Sequence, residues 1–211
     1  MSDLNIRYLC VGRWRENSYI LEYNGQSVII DPGDNFEKLD EEFQKNRTQH
    51  VAIINTHGHF DHIGAVESFK TKYDIPFYLH SKDRRILTQA NMIRRFADDS
   101  QFVKIPTIDH YLDSLNSFDL QDKKIVFHHT PGHSHGSVCM EIENNLFSGD
   151  IFYNDSIGRT DLPGGNKELL KTSLNFIIDR FQGYNIFPGH NKPFFLDADV
   201  IEHIKSLNSW G

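Results

Sequence analysis

Apolar and polar residues alternate along the chain in patterns that divide it into short strands and amphipathic helices. Runs rich in valine, isoleucine, tyrosine and phenylalanine, bounded by glycine, proline or asparagine, are typical of strands. They occur at residues 4–12, 17–23, 26–31, 50–56, 75–80, 124–129, 137–142, 145–150 and 184–189. Apolar residues at helical spacing occur at residues 35–46, 62–73, 82–97, 167–181 and 197–210. Strands and helices alternate in both halves of the chain, which predicts a layered α/β fold.

Two segments of the sequence resemble each other. Residues 18–31 read SYILEYNGQSVIID and residues 137–150 read SVCMEIENNLFSGD. Each segment has the pattern of a hairpin, begins with serine, carries glutamate at its fifth position (Glu22 and Glu141) and ends with aspartate. A chance match is the competing explanation. If the repeat is real, the fold consists of two related halves that face each other.

Length and charge restrict the class of protein. We assign residues 1–211 to one domain, which is long enough to bury a core without disulfides, so that any metal is expected to be functional. The net charge of −7 and the lack of a lysine or arginine cluster argue against a nucleic-acid partner. The sequence has no apolar run of membrane-spanning length and no secretory signal pattern. We therefore expect a cytoplasmic protein without a membrane partner, with Cys10 and Cys139 reduced.

Candidate chemistry is concentrated in residues 56–62, THGHFDH, directly after the apolar run VAIIN. His57 and His59 share one face if the backbone is extended, while Asp61 and His62 follow where the chain enters the next helix. A tight turn is able to bring all four side chains to one small volume. Imidazole together with carboxylate suits zinc, with iron and manganese as less favoured ions.

Three further ligand-type residues each follow an apolar run. His133 and His190 both stand in the sequence PGH, and Asp150 ends the sequence SGD. Active sites of α/β proteins gather at the carboxyl ends of strands, so these residues are expected to meet the 56–62 turn. A simpler interpretation is that each histidine is hydrogen-bonded at a strand end and that Asp150 caps a helix or a turn.

The motifs HxHxDH, PGHxxGS, SGD and PGH, in this order between about residues 17 and 193, resemble the metallo-β-lactamase superfamily. The resemblance implies a four-layer αββα sandwich with two divalent metal ions, zinc in the first place and iron or manganese otherwise. By position, it implies a first metal at His57, His59 and His133, a second at Asp61, His62 and His190, and Asp150 between them.

Residues 147–165, FSGDIFYNDSIGRTDLPGG, are similar to short glyoxalase II-type thioester hydrolases. This similarity implies hydrolysis of a small-molecule thioester, such as S-lactoylglutathione or a related acyl thiol, by a water shared between the two ions. Asp61 would orient that nucleophile as the catalytic residue. Arg159 occupies the position of a lysine that contacts glutathione in that group, whereas Asp161 replaces a tyrosine that contacts the substrate there.

Several residues near the motifs have two interpretations. Asp31 is expected either to hydrogen-bond a metal-binding histidine or to cap a turn. Arg159 and Asp161 either line the substrate entrance or form a structural ion pair, and Tyr153 is expected to pack rather than to face the pocket. The charged helix at residues 82–95 is most simply a solvated face, and its second interpretation is a role in covering the cleft.

Further functions remain open from the sequence. Residues 158–161, GRTD, also resemble persulfide dioxygenases, and this resemblance implies one iron held by His57, His133 and Asp150. A lactonase or β-lactamase shares the motifs, although the lack of a secretory leader weighs against a β-lactamase. A metal-binding protein without turnover is the candidate of a different class, and the oligomeric state is not predicted.

Overall fold

The structure is a computed structural model that describes residues 3–97 and 101–208. Its first β-sheet has six strands, which are β1 (Asn5–Val11), β2 (Glu16–Tyr23), β3 (Gln26–Ile30), β4 (Gln49–Ile54), β5 (Phe77–Leu79) and β6 (His110–Tyr111). The second sheet contains β7 (Ser117–Leu120), β8 (Lys123–His129), β9 (Val138–Ile142), β10 (Asn145–Gly149), β11 (Asn185–Pro188) and β12 (Phe194–Phe195). The helices are α1 (Phe36–Gln44), α2 (Phe60–Ile63), α3 (Val66–Tyr73), α4 (Arg84–Phe96), α5 (Lys167–Phe181) and α6 (Ala198–Asn208).

The two sheets repeat one pattern of strand pairing. In the first sheet β1, β2 and β3 pair antiparallel and β3 pairs parallel with β4. In the second, β8, β9 and β10 pair antiparallel and β10 pairs parallel with β11. The two similar sequence segments form the equivalent hairpins β2–β3 and β9–β10, which end just before Asp31 and Asp150. The predicted relation between the two halves is therefore present in the topology.

Three apolar clusters hold four layers together. The middle cluster lies between the sheets and includes Ile30, Ile54 and Phe147. The neighbouring side chains Ile29 and Ile53 point the other way and pack under α1, α3 and α4, because successive residues of a strand face opposite sides. The second sheet packs against α5 and α6 in the same manner. The predicted αββα sandwich is confirmed, and strands buried on both faces explain the continuous apolar runs of the sequence.

Some element boundaries differ from the sequence prediction. The helix predicted at residues 62–73 is divided into α2 and α3 around Gly64, whose backbone lies so close to the Gly33 carbonyl oxygen that a Cβ would come within 2.0 Å of it. Strands β6, β7 and β12 were not predicted, since two to four residues carry too little pattern. Residues 209–210 of the last predicted helix lie outside the described part of the chain.

No helix within residues 3–97 and 101–208 is long and apolar enough to cross a bilayer. Cys10 and Cys139 are both free thiols.

Candidate metal centre

The carboxyl ends of β4, β8, β10 and β11 lie at the same edge of the sandwich, and the predicted ligand residues follow them. A hydrogen bond from the Val138 amide to the Thr56 carbonyl, 2.9 Å, joins the two sheets at this edge. A second bond from the Asn17 amide to the Gly189 carbonyl, 2.7 Å, does the same on the other side. The strand ends from both halves are thereby fixed against each other, and the side chains that follow them meet.

The first group of side chains consists of His57, His59 and His133. One ring nitrogen from each lies within 4.8 Å of the other two, and Nδ1 of His59 is 2.8 Å from Nε2 of His133. All three residues are at most 3% exposed. Burial lowers the pKa of all three imidazoles, that of His59 to about 3, and their mutual repulsion adds to the effect for His57 and His59. The group therefore offers neutral imidazoles, the form that binds metal.

The second group consists of Asp61, His62 and His190, again with ligand atoms within 4.8 Å of one another. Nε2 of His190 is 3.3 Å from Oδ2 of Asp61, and Nε2 of His62 is 4.0 Å from the same oxygen. Asp61 and His62 lie on α2, whose first turn directs them toward His190 after β11. The group thus combines two side chains from the first half of the sandwich with one from the second half.

Asp150 lies between the two groups. Its Oδ2 is 3.7 Å from Nε2 of His133 and 3.4 Å from Nε2 of His190. Its Oδ1 is 3.5 Å from Nε2 of His62. One carboxylate therefore faces histidines of both groups, which is the position that the family resemblance implied for a ligand shared by two ions.

The second group carries more negative charge than the first. Burial lowers the pKa of His62, but Asp150 and Asp31 outweigh it and raise the pKa well above its ordinary value. Burial also lowers the pKa of His190, but the carboxylates, mainly Asp150, outweigh this effect and raise the pKa to about 11. Clustered buried carboxylates attract positive charge at this place, and a divalent cation would supply it.

Hydrogen bonds at the back of the cluster determine which ring nitrogens face inward. Nδ1 of His133 donates to the Arg159 carbonyl at 2.9 Å, and Nδ1 of His62 donates to Oδ2 of Asp31 at 3.0 Å. Nδ1 of His57 contacts Oγ1 of Thr56 at 3.0 Å, and that hydroxyl donates onward to Asp31 at 2.5 Å. In a neutral ring that keeps its proton on Nδ1, Nε2 is the atom that directs a lone pair into the cluster.

Four inward-facing atoms have no hydrogen-bond partner among the described residues. They are Nε2 of His57, Nε2 of His59, Nε2 of His62 and Oδ1 of Asp150, all of them buried. A buried polar atom without a partner costs about 1–3 kcal/mol, so four such atoms facing one volume favour the binding of a ligand between them. Nitrogen and carboxylate donors fit a zinc or iron ion.

Gly189 makes room for this arrangement. A Cβ built on Gly189 would lie 2.1 Å from Oδ1 of Asp150 and 2.7 Å from the ring of His62. Any side chain here would displace Asp150, so the glycine of the second PGH sequence is required by the close approach of the cluster.

Asp31 hydrogen-bonds to the 56–62 turn on the side away from the cavity. This is the contact with a candidate metal-binding histidine that the sequence offered as one of two interpretations. Besides His62, it accepts a hydrogen bond from the Thr56 amide at 2.7 Å through Oδ1. Asp31 is itself buried at 1% exposure and follows β3. One carboxylate therefore fixes the ring of His62 directly and that of His57 through Thr56.

Asp83 is a supporting residue that sequence reasoning missed. It is fully buried at the start of α4, and its carboxylate accepts bonds from the Gly58 amide at 2.9 Å, the Gly136 amide at 2.6 Å and the Ser134 hydroxyl at 2.6 Å. These donors belong to the two turns that carry His57, His59 and His133. An aspartate just before a predicted helix has the pattern of an ordinary cap, so the sequence gives no signal for this contact.

Glu16 is a second buried carboxylate that sequence reasoning missed. It begins β2, is 1% exposed and has its Oε1 atom 3.9 Å from Nδ1 of His62. Burial raises its pKa well above the ordinary value for glutamate. Glu16 therefore adds to the polar surroundings of His62 behind the candidate ligands.

A cavity of about 640 Å³ opens directly over the cluster. His59, Asp61, His133, Asp150 and His190 form its floor. Its walls come from the residues before β2, from α2, from α4 and the residue that follows it, and from the 153–163 segment. The wall residues are Trp14, Phe60, Met92, Ile93, Phe96, Ala97, Tyr153, Ile157, Arg159, Leu162 and Pro163.

The residues that line this cavity correct two predictions made from the sequence. Tyr153 lines it, so the expectation that Tyr153 packs away from the pocket is wrong. The solvated-face interpretation of the 82–95 helix is wrong for Met92 and Ile93, which α4 presents to the cleft.

Arg159 lines the cavity entrance, but its guanidinium is already paired. Nε and Nη2 donate to the two carboxylate oxygens of Asp161, both at 2.7 Å. Both sequence interpretations therefore apply, because the residue is at the entrance and also forms the ion pair. A substrate carboxylate would have to replace Asp161 as the partner of the Arg159 guanidinium. The contact between Arg159 and a substrate remains a prediction.

The fold and the site define a metal-binding α/β protein. A family model of the metallo-β-lactamase superfamily matches residues 11–190. The chain therefore belongs to the metallo-β-lactamase superfamily.

Relatives and solved structures agree with this assignment. The probable metallo-hydrolase YqgX of Bacillus subtilis is 34% identical over 171 residues, which cover 80% of this chain and 81% of the relative. The crystal structure of the B3 metallo-β-lactamase BLEG-1 has a TM-score of 0.85 and 33% identity, covering 97% of this chain and 98% of that one. TTHA1623 in a di-iron-bound form has a TM-score of 0.80 and 33% identity, over 90% and 94% of the two chains. Together with the ligand cluster, these similarities indicate a metal-dependent hydrolase.

Proposed function

We propose that the protein is a dinuclear-metal hydrolase that cleaves a thioester of a small molecule. The observation that carries this proposal is the position of Asp150 between two groups of ligand atoms, His57, His59 and His133 on one side and Asp61, His62 and His190 on the other. One group alone would suffice for a single ion. A carboxylate facing both groups supports a pair of ions.

These two groups and Asp150 would hold two divalent ions, zinc in the first place. The di-iron form of TTHA1623 makes iron the main competitor of zinc. When bound, such ions lower the pKa of a water molecule toward neutrality and polarise the carbonyl that the water attacks.

The chain's own residues would orient the reactants. Asp61 lines the cavity floor, and its Oδ2 atom lies 3.3 Å from His190, so the carboxylate is held where it can accept a hydrogen bond from the attacking water. The hydrogen bonds of Asp31 and Arg159 keep His62 and His133 from rotating. A thiolate leaves without protonation, so thioester hydrolysis needs no additional general acid.

The 147–165 segment supports a thioester as the substrate, because it is similar to the short glyoxalase II-type enzymes. S-lactoylglutathione is the reference substrate on this ground. Arg159 would bind a carboxylate of the thiol carrier by exchanging it for Asp161.

The test is a turnover screen of metal-loaded protein with S-lactoylglutathione and related thioesters, monitored by release of free thiol. Zinc-, iron- and manganese-loaded samples are compared, with the Asp61→Asn variant as the negative control. Metal-dependent thiol release is expected. Full loading with two ions and no release from any thioester would contradict the proposal.

β-Lactam hydrolysis is a second candidate, favoured by the similarity to BLEG-1 over nearly the whole chain. A chromogenic cephalosporin added to the same screen separates the two functions. A kcat/KM for the β-lactam above that for every thioester would favour this candidate.

Metal analysis separates the persulfide dioxygenase from the proposed hydrolase, and the turnover screen separates the non-catalytic metal-binding protein from it. A persulfide dioxygenase would contain one iron at His57, His133 and Asp150 and would consume oxygen with glutathione persulfide, leaving Asp61, His62 and His190 without a role. A non-catalytic metal-binding protein would bind both ions and turn over none of these compounds.

A further inference from the structure

The walls of the cavity above the ligand cluster are mainly aliphatic and aromatic. Met92, Ile93 and Phe96 of α4 contribute to this lining, as do Ile157, Leu162 and Pro163. Met92 and Phe96 are four residues apart and so lie on one face of the helix. This apolar surface is continuous with the floor that carries His59, Asp61 and His190.

The exposure of these side chains is unusual. Phe96 is 84% exposed and Met92 is 47% exposed, although both border a cavity. Exposed apolar surface next to a reactive centre commonly marks the place where a ligand is bound. An apolar group of the substrate would cover both side chains.

The small number of cationic side chains in the cavity wall also favours an apolar substrate group. Arg159 is the only lysine or arginine that lines the cavity in the described part of the chain, and Asp161 neutralises it through two hydrogen bonds. The chain as a whole has a net charge of −7. Apart from Arg159, the cavity walls in the described part of the chain offer no lysine or arginine to a thiol carrier with several carboxylates, whereas an uncharged apolar acyl group meets a matching surface.

We propose that the substrates are thioesters with an apolar acyl group of about six or more carbons, which lies between α4 and the 157–163 segment. This inference rests on the proposed thioester hydrolysis and specifies its substrate class. Each methylene that leaves water for an apolar surface contributes up to about fourfold to binding. A chain of eight carbons is therefore expected to be preferred over one of two carbons by at least about tenfold in kcat/KM.

The test uses acetyl, butanoyl, hexanoyl and octanoyl thioesters of N-acetylcysteamine, a small uncharged thiol. Wild type is compared with Phe96→Ser and with the matched control Phe195→Ser, which changes a 53% exposed phenylalanine on β12 outside the cavity. The octanoyl-to-acetyl ratio of kcat/KM is expected to exceed about tenfold, to fall in Phe96→Ser and to be unchanged in Phe195→Ser. Thioester turnover with a ratio near one overturns the acyl assignment and leaves thioester hydrolysis intact.

Binding of uncleavable analogues separates this inference from the proposed reaction. S-octyl and S-ethyl thioethers of N-acetylcysteamine are titrated calorimetrically into the metal-loaded protein. Tighter binding of the octyl compound, weakened by Phe96→Ser, supports the apolar site even if no thioester is hydrolysed. Equal binding of the two thioethers overturns it.

Discussion

Asp31 accepts a hydrogen bond from Nδ1 of His62 over 3.0 Å, and the opposite nitrogen of the same ring lies 3.5 Å from Asp150. The ring of His62 is thus fixed between a carboxylate from the first half of the sandwich and one from the second. Because Asp31 also accepts from Thr56, the same carboxylate influences His57. Asp31 therefore positions ligand atoms of both groups without facing the cavity.

The Asp31→Asn variant tests this positioning role. In Asp31 the Oδ2 atom accepts hydrogen bonds from His62 and from the Thr56 hydroxyl, and an amide NH₂ in its place is unable to accept them. The rings of His62 and His57 therefore lose their orientation. Metal affinity is expected to fall about 10–100-fold, as measured by competition with a chelator. Asp74→Asn, at an exposed position after α3, is the matched control and should bind metal like wild type. Equal affinity in Asp31→Asn and wild type would contradict the role.

Asp61→Asn tests the proposed catalytic residue. The amide keeps the shape of the side chain but loses its negative charge and one acceptor oxygen. If Asp61 orients the nucleophile, kcat for thioester hydrolysis should fall by at least about 100-fold in samples with measured metal content. Asp155→Asn, on the exposed surface, should keep the wild-type rate. A variant that retains both ions and the full rate removes Asp61 from the mechanism.

Asp83→Ala tests the connection between the two ligand-bearing turns. The substitution leaves the Gly58 and Gly136 amides and the Ser134 hydroxyl without their acceptor in a buried place. The free energy of unfolding in urea is expected to fall by about 3 kcal/mol or more.

Asp113→Ala provides a comparison for that variant. Asp113 also accepts an amide and a hydroxyl bond, both from Ser81, but its side chain is 40% exposed. Water replaces those contacts, so a loss of about 1 kcal/mol or less is expected. Equal losses in the two variants would show that Asp83 is an ordinary capping residue.

His80 predicts a pH dependence outside the metal cluster. Burial and, to a smaller extent, the stacked ring of His129 lower the pKa of His80 to about 4, although Asp113 opposes both. Since the folded pKa lies below the unfolded value of about 6.5, the unfolded chain binds more protons between these values. The contribution of neutral His80 to the free energy of unfolding is therefore fully present above about pH 6.5 and is lost as the pH falls toward 4.

The His80→Gln variant measures this contribution. Urea unfolding of wild type and variant is compared between pH 7.5 and pH 4.5. The stability of wild type relative to the variant should decrease on acidification by on the order of 2 kcal/mol. A difference that stays constant over this range would contradict the assignment.

The layers and the convergence of the ligand residues follow from local features of the sequence. Continuous apolar runs mark strands buried on both faces, and the glycine and proline turns after them place His57, His133, Asp150 and His190 at one edge. The hairpin repeat gives the relation between the halves, because Asp31 and Asp150 directly follow equivalent strands.

The parts that the sequence does not reveal depend on contacts between distant residues. Asp83 meets partners 25, 51 and 53 positions away, and its own surroundings have the pattern of a helix start. The direction in which Met92 and Phe96 point depends on how α4 lies over α2, which its charged pattern does not specify. Strands of two residues, such as β6 and β12, form only because a neighbouring strand is present.

Seven side chains from both halves of the sandwich are proposed to hold two metal ions, and every catalytic role above depends on this. A crystal structure of the metal-loaded protein, with anomalous scattering measured at the edge of the bound metal, tests it most directly. Two peaks are predicted, one among His57, His59 and His133 and the second among Asp61, His62 and His190, with Asp150 at both. A single peak at His57, His133 and Asp150, or no peak among these residues, would contradict it.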